Sequence, residues 1–484
     1  MFDLNPVSHV VGWMLMVFGG VMLVPAAVEI ASSAEAPSAP AFLTSAFVTF
    51  GVGGLIALST NTQQRAGLSI RQAFLMTVAV WFTLPLACAL PFALALPALS
   101  LTDAIFESVS GITTTGSTVI IGLERLPIGI NLWRGMLNWL GGLGIAFVAM
   151  IFLPVLRIGG MQVFRAEGFD TLGKVLPRAS DIAGALVRVY VILTAACIAV
   201  YLLLGMTPLD AVVNGAATIA TGGFSSADAS FGKYPGAAEY AGALFMILGS
   251  LPYIRYAQML RGNPGPLLQD VQVRAFLVWV LGSVAMVVVW RLAVTDEAFE
   301  PVLRETLFNM VSIFTGTGFF SGTFSTWGGF ALIAAFVVGM IGGCSSSSSG
   351  ALSVFRVQLM GAAILGQLRQ IASPHRVPDV RYDGKRVDLA TLDTLVVYVA
   401  LYVLTIGVLS VALTLIGVDM TSAVFGVWTS IGNIGYGFGP MVAATGTFIE
   451  FPTAAKWILI LAMLLGRLSL IAVFVVLMPR FWLR

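Results

Sequence analysis

The chain has 484 residues, 58% of them hydrophobic and only 10% charged, with a formal net charge of +2 and a mean hydropathy of +0.95. That balance lies far outside soluble globular domains, and the small net charge gives no basis for binding nucleic acid. Many apolar runs approach the ~20 residues that cross a ~30 Å hydrocarbon core as helix, so the expected class is an all-α polytopic membrane protein.

The N-terminus, Met1 to His9, carries an acid and no basic region. The first apolar run, His9 to Ala31, therefore reads as a spanning helix rather than a cleaved signal. Phe42 to Leu58 returns after a Ser/Ala/Pro turn. These two helices, within 1–71, have no glycine loop after them and read as an addition in front of a repeated part.

Four units follow, over 72–180, 181–270, 271–388 and 389–484. Each is expected to hold an outgoing helix, a short pore helix, a glycine loop and a returning helix. The outgoing helices are Gln72 to Leu96, Ala183 to Leu204, Val273 to Leu292 and Leu392 to Ile416. The returning helices are Leu132 to Leu156, Tyr240 to Gln258, Gly328 to Gly343 and Ala455 to Met478. The loops are Ile112-Thr-Thr-Thr-Gly-Ser-Thr-Val119, Ile219-Ala-Thr-Gly-Gly-Phe224, Phe314-Thr-Gly-Thr-Gly-Phe319 and Gly432-Asn-Ile-Gly-Tyr-Gly437. Aligned on Gly116, Gly222, Gly318 and Gly435, they lie 106, 96 and 117 residues apart. Asp103, Asp210, Glu305 and Ser422 precede those glycines by 13, 12, 13 and 13 residues, where acids and hydroxyls suit the start of a short helix.

Four such loops in register predict four units around one pore. A cation leaving water needs oxygens in place of its hydration shell, and inward-facing carbonyls of an extended loop supply them. Glycine permits the backbone angles, and Thr hydroxyls add oxygen. The candidate ion-binding residues are Thr114, Thr115, Gly116, Thr221, Gly222, Gly223, Thr317, Gly318, Phe319, Ile434, Gly435 and Tyr436. Each pore helix would aim the negative end of its dipole at the centre.

Basic residues cluster in Arg157 to Arg178 and Arg356 to Arg386. By the positive-inside rule both termini are cytoplasmic and the loops open outward. Asp103, Glu124, Asp228, Glu239, Asp296, Glu297, Glu300 and Glu305 fall on the opposite side. They read either as a field that concentrates cations or as a bare topology signal.

Arg467 lies inside an apolar run, where a charge costs roughly 2.5–3.5 kcal/mol on insertion scales, so it should face protein or water. The run Gly328 to Cys344 is at the short limit for a span, and Ser345 to Ser349 reads as a break in a helix that lines a wet cavity. The segment Arg369 to Arg386 is a solvated loop or a docking surface for a regulatory partner or anionic membrane lipid. Cys88, Cys197 and Cys344 read as small core residues, and His9 and His375 form no metal site.

Further motifs sharpen this reading: Trp139-Leu-Gly-Gly-Leu-Gly144, Ile158-Gly-Gly-Met-Gln162 with Arg165-Ala-Glu167, Pro266-Leu-Leu-Gln-Asp270, Ile341-Gly-Gly-Cys344 and Gly466-Arg467. With Thr113-Thr-Thr-Gly116, Thr221-Gly-Gly-Phe224, Thr317-Gly-Phe319 and Asn433-Ile-Gly435, the chain resembles the membrane subunit of the bacterial Trk potassium uptake system, in the Trk/Ktr/HKT superfamily, over nearly its whole length. The resemblance implies a homodimer in the bacterial inner membrane. It implies potassium uptake controlled by a cytosolic nucleotide-binding ring, TrkA-like. In the wider family serine at the first filter glycine goes with sodium permeation, and Gly116 favours potassium. The family's third returning helix breaks into a gate loop rich in Gly, Ser and Thr. Here the gate residues are Ser345, Ser346, Ser347, Ser348, Ser349 and Gly350, with Arg467 beneath the filter, Ser353 near the family's usual lysine and Ser469 where a glutamate is common.

No cofactor is expected in this chain beyond potassium as cargo. Gly159-Gly160 lacks a phosphate-binding pattern, so any ATP or ADP response belongs to the partner. Two mechanisms stay open: a selective channel-like pore, and a proton- or sodium-coupled symporter with Glu107 as the nearest ionisable candidate. No nucleophile–base set supports a membrane enzyme.

Overall fold

A computed structural model of the chain describes residues 4–60, 69–147, 179–373, 380–468 and 470–482. Apart from a hairpin of two-residue strands, Arg381–Tyr382 and Lys385–Arg386, the described residues form helices and loops. Among the described residues six helices are long and apolar enough to cross a membrane: Asn5–Ser32, Ala39–Ser59, Arg71–Ala95, Ala183–Leu203, Val271–Val294 and Leu389–Leu415. They expose large apolar side chains such as Phe47, Leu203, Val278 and Leu415, as a lipid solvent permits. The chain is a multi-pass helical membrane protein.

The first two helices cross closely because small residues line their contact. A Cβ on Gly12 would lie 2.7 Å from the Ala57 nitrogen, and one on Gly19 2.8 Å from that of Phe50. Close backbone approach of this kind drives helix association where no water is available to expel. Glu29, buried at the end of the first span, accepts from the backbone and hydroxyl of Ser38.

Four times thereafter a long helix leads to a short one, a loop and another helix. The short helices are Leu101–Ile112, Pro208–Ala220, Phe299–Thr315 and Met420–Gly432. Three are capped by the side chain before their first turn: Ser100, Thr207 and Asp419 accept from the N–H groups of Asp103, Asp210 and Ser422 at 3.1, 3.2 and 2.9 Å. Asp103, Asp210 and Ser422 are thus the third residue of each; the second helix starts at Pro208 as expected, and the fourth one residue before the expected Thr421. The third short helix departs further. It starts at Phe299, a turn and a half before Glu305, without a side-chain cap. Its extra turn carries Arg304, which pairs with Glu239 of the preceding unit and with Glu300.

The returning helices differ most from expectation. The first runs Ile128–Phe147. The remainder of the expected helix, the basic segment Arg157 to Arg178, Pro374 to Asp379 and Ser469 lie outside the described residues. The second, expected as one helix over Tyr240 to Gln258, is two: Ala237–Gly249 and Tyr253–Met259, bent by 91°. Pro252 explains the break, because it lacks an N–H and its ring disfavours a helical Leu251. The third breaks where serines were expected to break it. Gly329–Ile341 ends, and the next helix begins at Val354. The fourth, expected over Ala455 to Met478, splits into Thr453–Leu468 and Leu470–Leu477, 107° apart. Arg467 lies in the last turn of Thr453–Leu468.

The last unit is tied back to the first. Lys456, on the fourth returning helix, donates to Asp103 of the first short helix at 2.6 Å, and both side chains are largely buried. Removing one partner of a buried pair costs about 3–5 kcal/mol, because the other charge stays buried alone. Asp103→Leu is expected to lower the melting temperature of the detergent-solubilised protein. Adding Lys456→Met should restore much of the loss, as read by thermal unfolding.

Candidate ion pathway

The four loops after the short helices share one backbone course. Thr114, Thr221, Gly316 and Asn433 adopt left-handed conformations, with φ of 52°, 49°, 72° and 50°. Two residues later Gly116, Gly223, Gly318 and Gly435 do so again, at 82°, 71°, 80° and 94°. Between them, Thr115, Gly222, Thr317 and Ile434 donate their N–H groups to the carbonyls of Ser110, Ala217, Ser312 and Thr429, at 2.9, 2.9, 2.8 and 2.9 Å. The glycine equivalent to Gly116 in the second loop is therefore Gly223, not Gly222. Two consecutive glycines leave that register open in the sequence, and the backbone settles it.

The loops meet in a closed ring. A Cβ on Gly116 would lie 2.2 Å from the Gly222 oxygen, and one on Gly223 2.0 Å from that of Thr317. One on Gly318 would lie 1.7 Å from the Ile434 oxygen, and one on Gly435 2.0 Å from that of Thr115. Each loop thus presents a carbonyl to the glycine of the loop before it, and the fourth contact returns to the first. No residue with a side chain fits any of the four places. All the expected ion-binding residues lie in these loops. Thr114 and Thr221 sit at the left-handed step, while Phe319 and Tyr436 follow the ring glycines.

Side chains brace the ring. The hydroxyls of Thr113 and Thr115 lie 2.8 Å apart, and those of Thr315 and Thr317 2.7 Å. Asn433 donates to Thr115 at 2.9 Å and to the Met463 carbonyl at 3.0 Å, joining the fourth loop to the first. Ser117 donates to the Gly435 carbonyl at 3.2 Å. Fully buried Glu107 accepts from Arg134 at 2.8 Å, from the Thr118 hydroxyl at 2.9 Å and from the Val119 N–H at 3.1 Å. Arg134 also donates to the Ser225 carbonyl at 2.6 Å and stacks on Phe224 at 4.3 Å. These contacts tie the first loop to the second.

One mouth of the ring opens into a cavity of about 600 Å³, lined by the four ring glycines together with Asp228, Tyr436 and Phe438. Most of the acids expected to face it are engaged. Asp103 pairs with Lys456, Glu239 with Arg304, and Glu305 with Arg291. Asp228 accepts from the Gly122 and Leu123 N–H groups and holds a loop in place. Burial pushes the Asp210 carboxyl up, but hydrogen bonds from Lys233, Ser226, Tyr234 and Thr207 outweigh it and hold the carboxyl below its ordinary range. Burial likewise pulls the Lys233 ammonium down, and Asp210 outweighs it. This pairing is complete at neutral pH and is lost as pH falls through the lowered carboxyl pKa, below the ordinary ~3.9.

Across the other mouth lies the serine run. Ser345 donates its N–H to Gln272 at 3.0 Å and its hydroxyl to Ser353 at 3.1 Å. Ser346 is left-handed, with φ of 64°, and its carbonyl accepts from the Tyr253 N–H at 2.9 Å. Ser347 bonds back to the Cys344 carbonyl at 2.6 Å. The Ser348 hydroxyl lies 2.8 Å from the Ile219 oxygen, and that of Ser349 donates to the Thr315 oxygen at 2.6 Å. Gly350 passes so close to Gly432 that a Cβ there would lie 2.5 Å from its oxygen. The loop thus lies against the carboxyl ends of the second, third and fourth short helices. Buried Arg467 donates to the Ser348 carbonyl at 3.0 Å and fastens the loop from the fourth unit.

Sequence reasoning missed four participants: the Gly223 register, the Asn433 tie, Arg134 and Tyr253. An arginine in an apolar helix and a proline directly before Tyr253 were the available signals. Among the described residues no group of three His, Cys, Asp or Glu side chains could hold a metal ion. The converging atoms are backbone carbonyls and hydroxyls, a donor set that replaces the hydration shell of a cation in transit.

A family model described as "TrkH: Cation transport protein" matches residues 38–482. The chain is 38% identical to the Trk system potassium uptake protein TrkI of Halomonas elongata over 481 residues, covering 99% of this chain and 96% of that one. It is 32% identical to the Trk system potassium uptake protein TrkH of Escherichia coli K12, covering 98% and 99%. The crystal structure of the potassium transporter TrkH from Vibrio parahaemolyticus superposes with a TM-score of 0.91 at 31% identity, over 99% of this chain and all of that one. These relatives are named for transport rather than catalysis, and the chain belongs to the TrkH family of cation transport proteins.

Proposed function

We propose that this chain takes up potassium across the bacterial inner membrane through a selective, channel-like pore. The closed ring of four carbonyls and four glycines is the observation that carries the reading. In it Thr115, Gly222, Thr317 and Ile434 supply the oxygens, and the four short helices aim their negative ends at the ion. The four units run over 72–180, 181–270, 271–388 and 389–484, with both termini cytoplasmic by the distribution of basic residues. The serine run Ser345 to Ser349, Gly350 and Arg467 form the gate beneath the filter. By the family resemblance, two copies assemble, and a TrkA-like cytosolic ring that binds the nucleotide drives the gate.

Symport is the alternative, and Glu107 bears on it. A coupling carboxylate must be free to exchange a proton with the pathway, whereas Glu107 is held by a guanidinium and two further donors. That role is a brace. With the purified protein in liposomes, under a potassium gradient with sodium opposite, the reversal potential should follow potassium and stay the same at two pH values. A shift with pH at fixed potassium would make the protein a proton symporter.

The register of the second loop gives a sharper test. Gly223→Ala adds a methyl at positive φ against a backbone oxygen, and neither can move away. At Gly222, without positive φ, the three atoms nearest the added methyl belong to the Asn138 side chain, the first at 2.6 Å, and not to backbone. Gly223→Ala is expected to abolish potassium-selective flux and Gly222→Ala to retain a substantial part of it. The reverse order would undo the ring register. Arg467→Ala should raise basal tracer flux by removing both the charge and the Ser348 tie. Unchanged flux would take Arg467 out of the gate.

A further inference from the structure

The break in the second returning helix and the serine run of the third unit are built into one another. The break leaves the Gly249 and Ser250 carbonyls without helical partners, and the serine run supplies them. Cys344 donates its N–H to the Ser250 oxygen at 3.0 Å, and the Ser348 hydroxyl lies 3.1 Å from that of Gly249. In return Ser346 accepts from the first N–H after the break, that of Tyr253. The two segments approach so closely that a Cβ on Gly343 would lie 2.9 Å from the Cβ of Ser250.

Tyr253 closes the arrangement. Its ring is buried and meets Tyr190 edge-on at 5.8 Å, which fixes the direction of the hydroxyl. That hydroxyl lies 3.0 Å from the Ser348 hydroxyl and 3.1 Å from the Ile219 oxygen, at the end of the second short helix. Two hydroxyls carry two protons, and four oxygens share them: the Ile219 and Gly249 carbonyls and the two hydroxyls themselves. Whichever of the two hydroxyls donates to the other, that bond ties the serine run to the broken helix, and the remaining proton goes to the Ile219 or the Gly249 oxygen.

We propose that Tyr253 is a positioning residue for gating, and that its hydroxyl pairs with that of Ser348 as a latch holding the serine run closed against the second unit. This rests on the reading of Ser345 to Ser349 as the gate. The latch makes the second unit, and not the third alone, part of the closed state. One hydrogen bond is small beside the whole fold, yet it is enough to shift an equilibrium between two loop positions.

The test uses the full chain, purified and reconstituted in liposomes, with tracer rubidium uptake and the potassium-to-sodium permeability ratio as readouts. Tyr253→Phe keeps the ring and its contact with Tyr190 and removes only the hydroxyl. It is expected to raise tracer flux about threefold to tenfold, the range one hydrogen bond supplies, with the permeability ratio unchanged. Ser348→Ala should also raise flux, and the double variant should exceed the larger single effect by less than twofold, because the two hydroxyls act as a pair. Flux of Tyr253→Phe within twofold of the parent, or two independent effects that multiply, would overturn the latch. A fall in the permeability ratio would overturn it too, and would assign Tyr253 to the support of Ile219 and the filter. A positively charged thiol reagent on Ser346→Cys separates the two readings. Complete labelling that leaves flux unchanged removes the gate itself, whereas block on labelling with no effect of Tyr253→Phe removes only the latch.

Discussion

Four carbonyl oxygens stand where four side chains would have to be. At Gly116, Gly223, Gly318 and Gly435 the neighbouring loop's oxygen lies at most 2.2 Å from the place of a Cβ, less than any real contact. The exclusion is steric and mutual. Each loop can hold its own carbonyl in the ring only because the loop before it has nothing at that point. The rest of the centre follows from keeping this contact. The left-handed step before each ring carbonyl turns the chain, the N–H at the ring position anchors it to the short helix behind, and the Thr and Asn side chains join adjacent loops. Even the buried Glu107–Arg134 pair, costly to place in an apolar interior, is accounted for by the two loops it holds together.

Beneath the ring the same economy of backbone oxygens holds the serine run in place. A helix ends with carbonyls that have no partner within it, and in an apolar interior each must find one. Ser348 and Ser349 hydroxyls meet those of Ile219 and Thr315, and Gly350 lies against that of Gly432. Under the proposed gating, a serine run that moves away would leave these oxygens to face water or a cation in the pathway. The loop's hydroxyls and the passing ion are thus alternative partners for one set of atoms. Serine keeps the size and donors that this needs, and Ser346 and Ser353 still reach left-handed angles that glycine adopts more cheaply.

Much of this was legible in the chain because the relevant signals are local. Hydropathy marks the long helices, and a short helix followed by a glycine and threonine loop recurs at nearly constant spacing. What escaped notice depends on contacts between distant residues. The two glycines at 222 and 223 are equivalent as letters, and only the Thr317 oxygen from the next unit distinguishes them. The helix over Tyr240 to Gln258 was apolar enough to read as continuous, while the stabilisation of its break comes from serines about a hundred residues later. Asp103, Asp210 and Ser422 suit the start of a helix, yet the caps are Ser100, Thr207 and Asp419 just before them. The acids of the mouth read either as a field or as a topology signal, because a sequence shows charges without their partners.

The ring has fourfold geometry, but the atoms around it are not fourfold. Its oxygens come from Thr115, Gly222, Thr317 and Ile434, and what lies below is less symmetrical still. The serine run comes from one unit, its cradle from a second and its arginine from a fourth. A pore of four identical chains has to widen like an iris, each quadrant doing the same thing. In a pore threaded from a single chain, each quadrant drifts on its own through mutation. On the proposed reading, one becomes a door, its neighbour the frame, and the remainder keeps the filter still while the door swings.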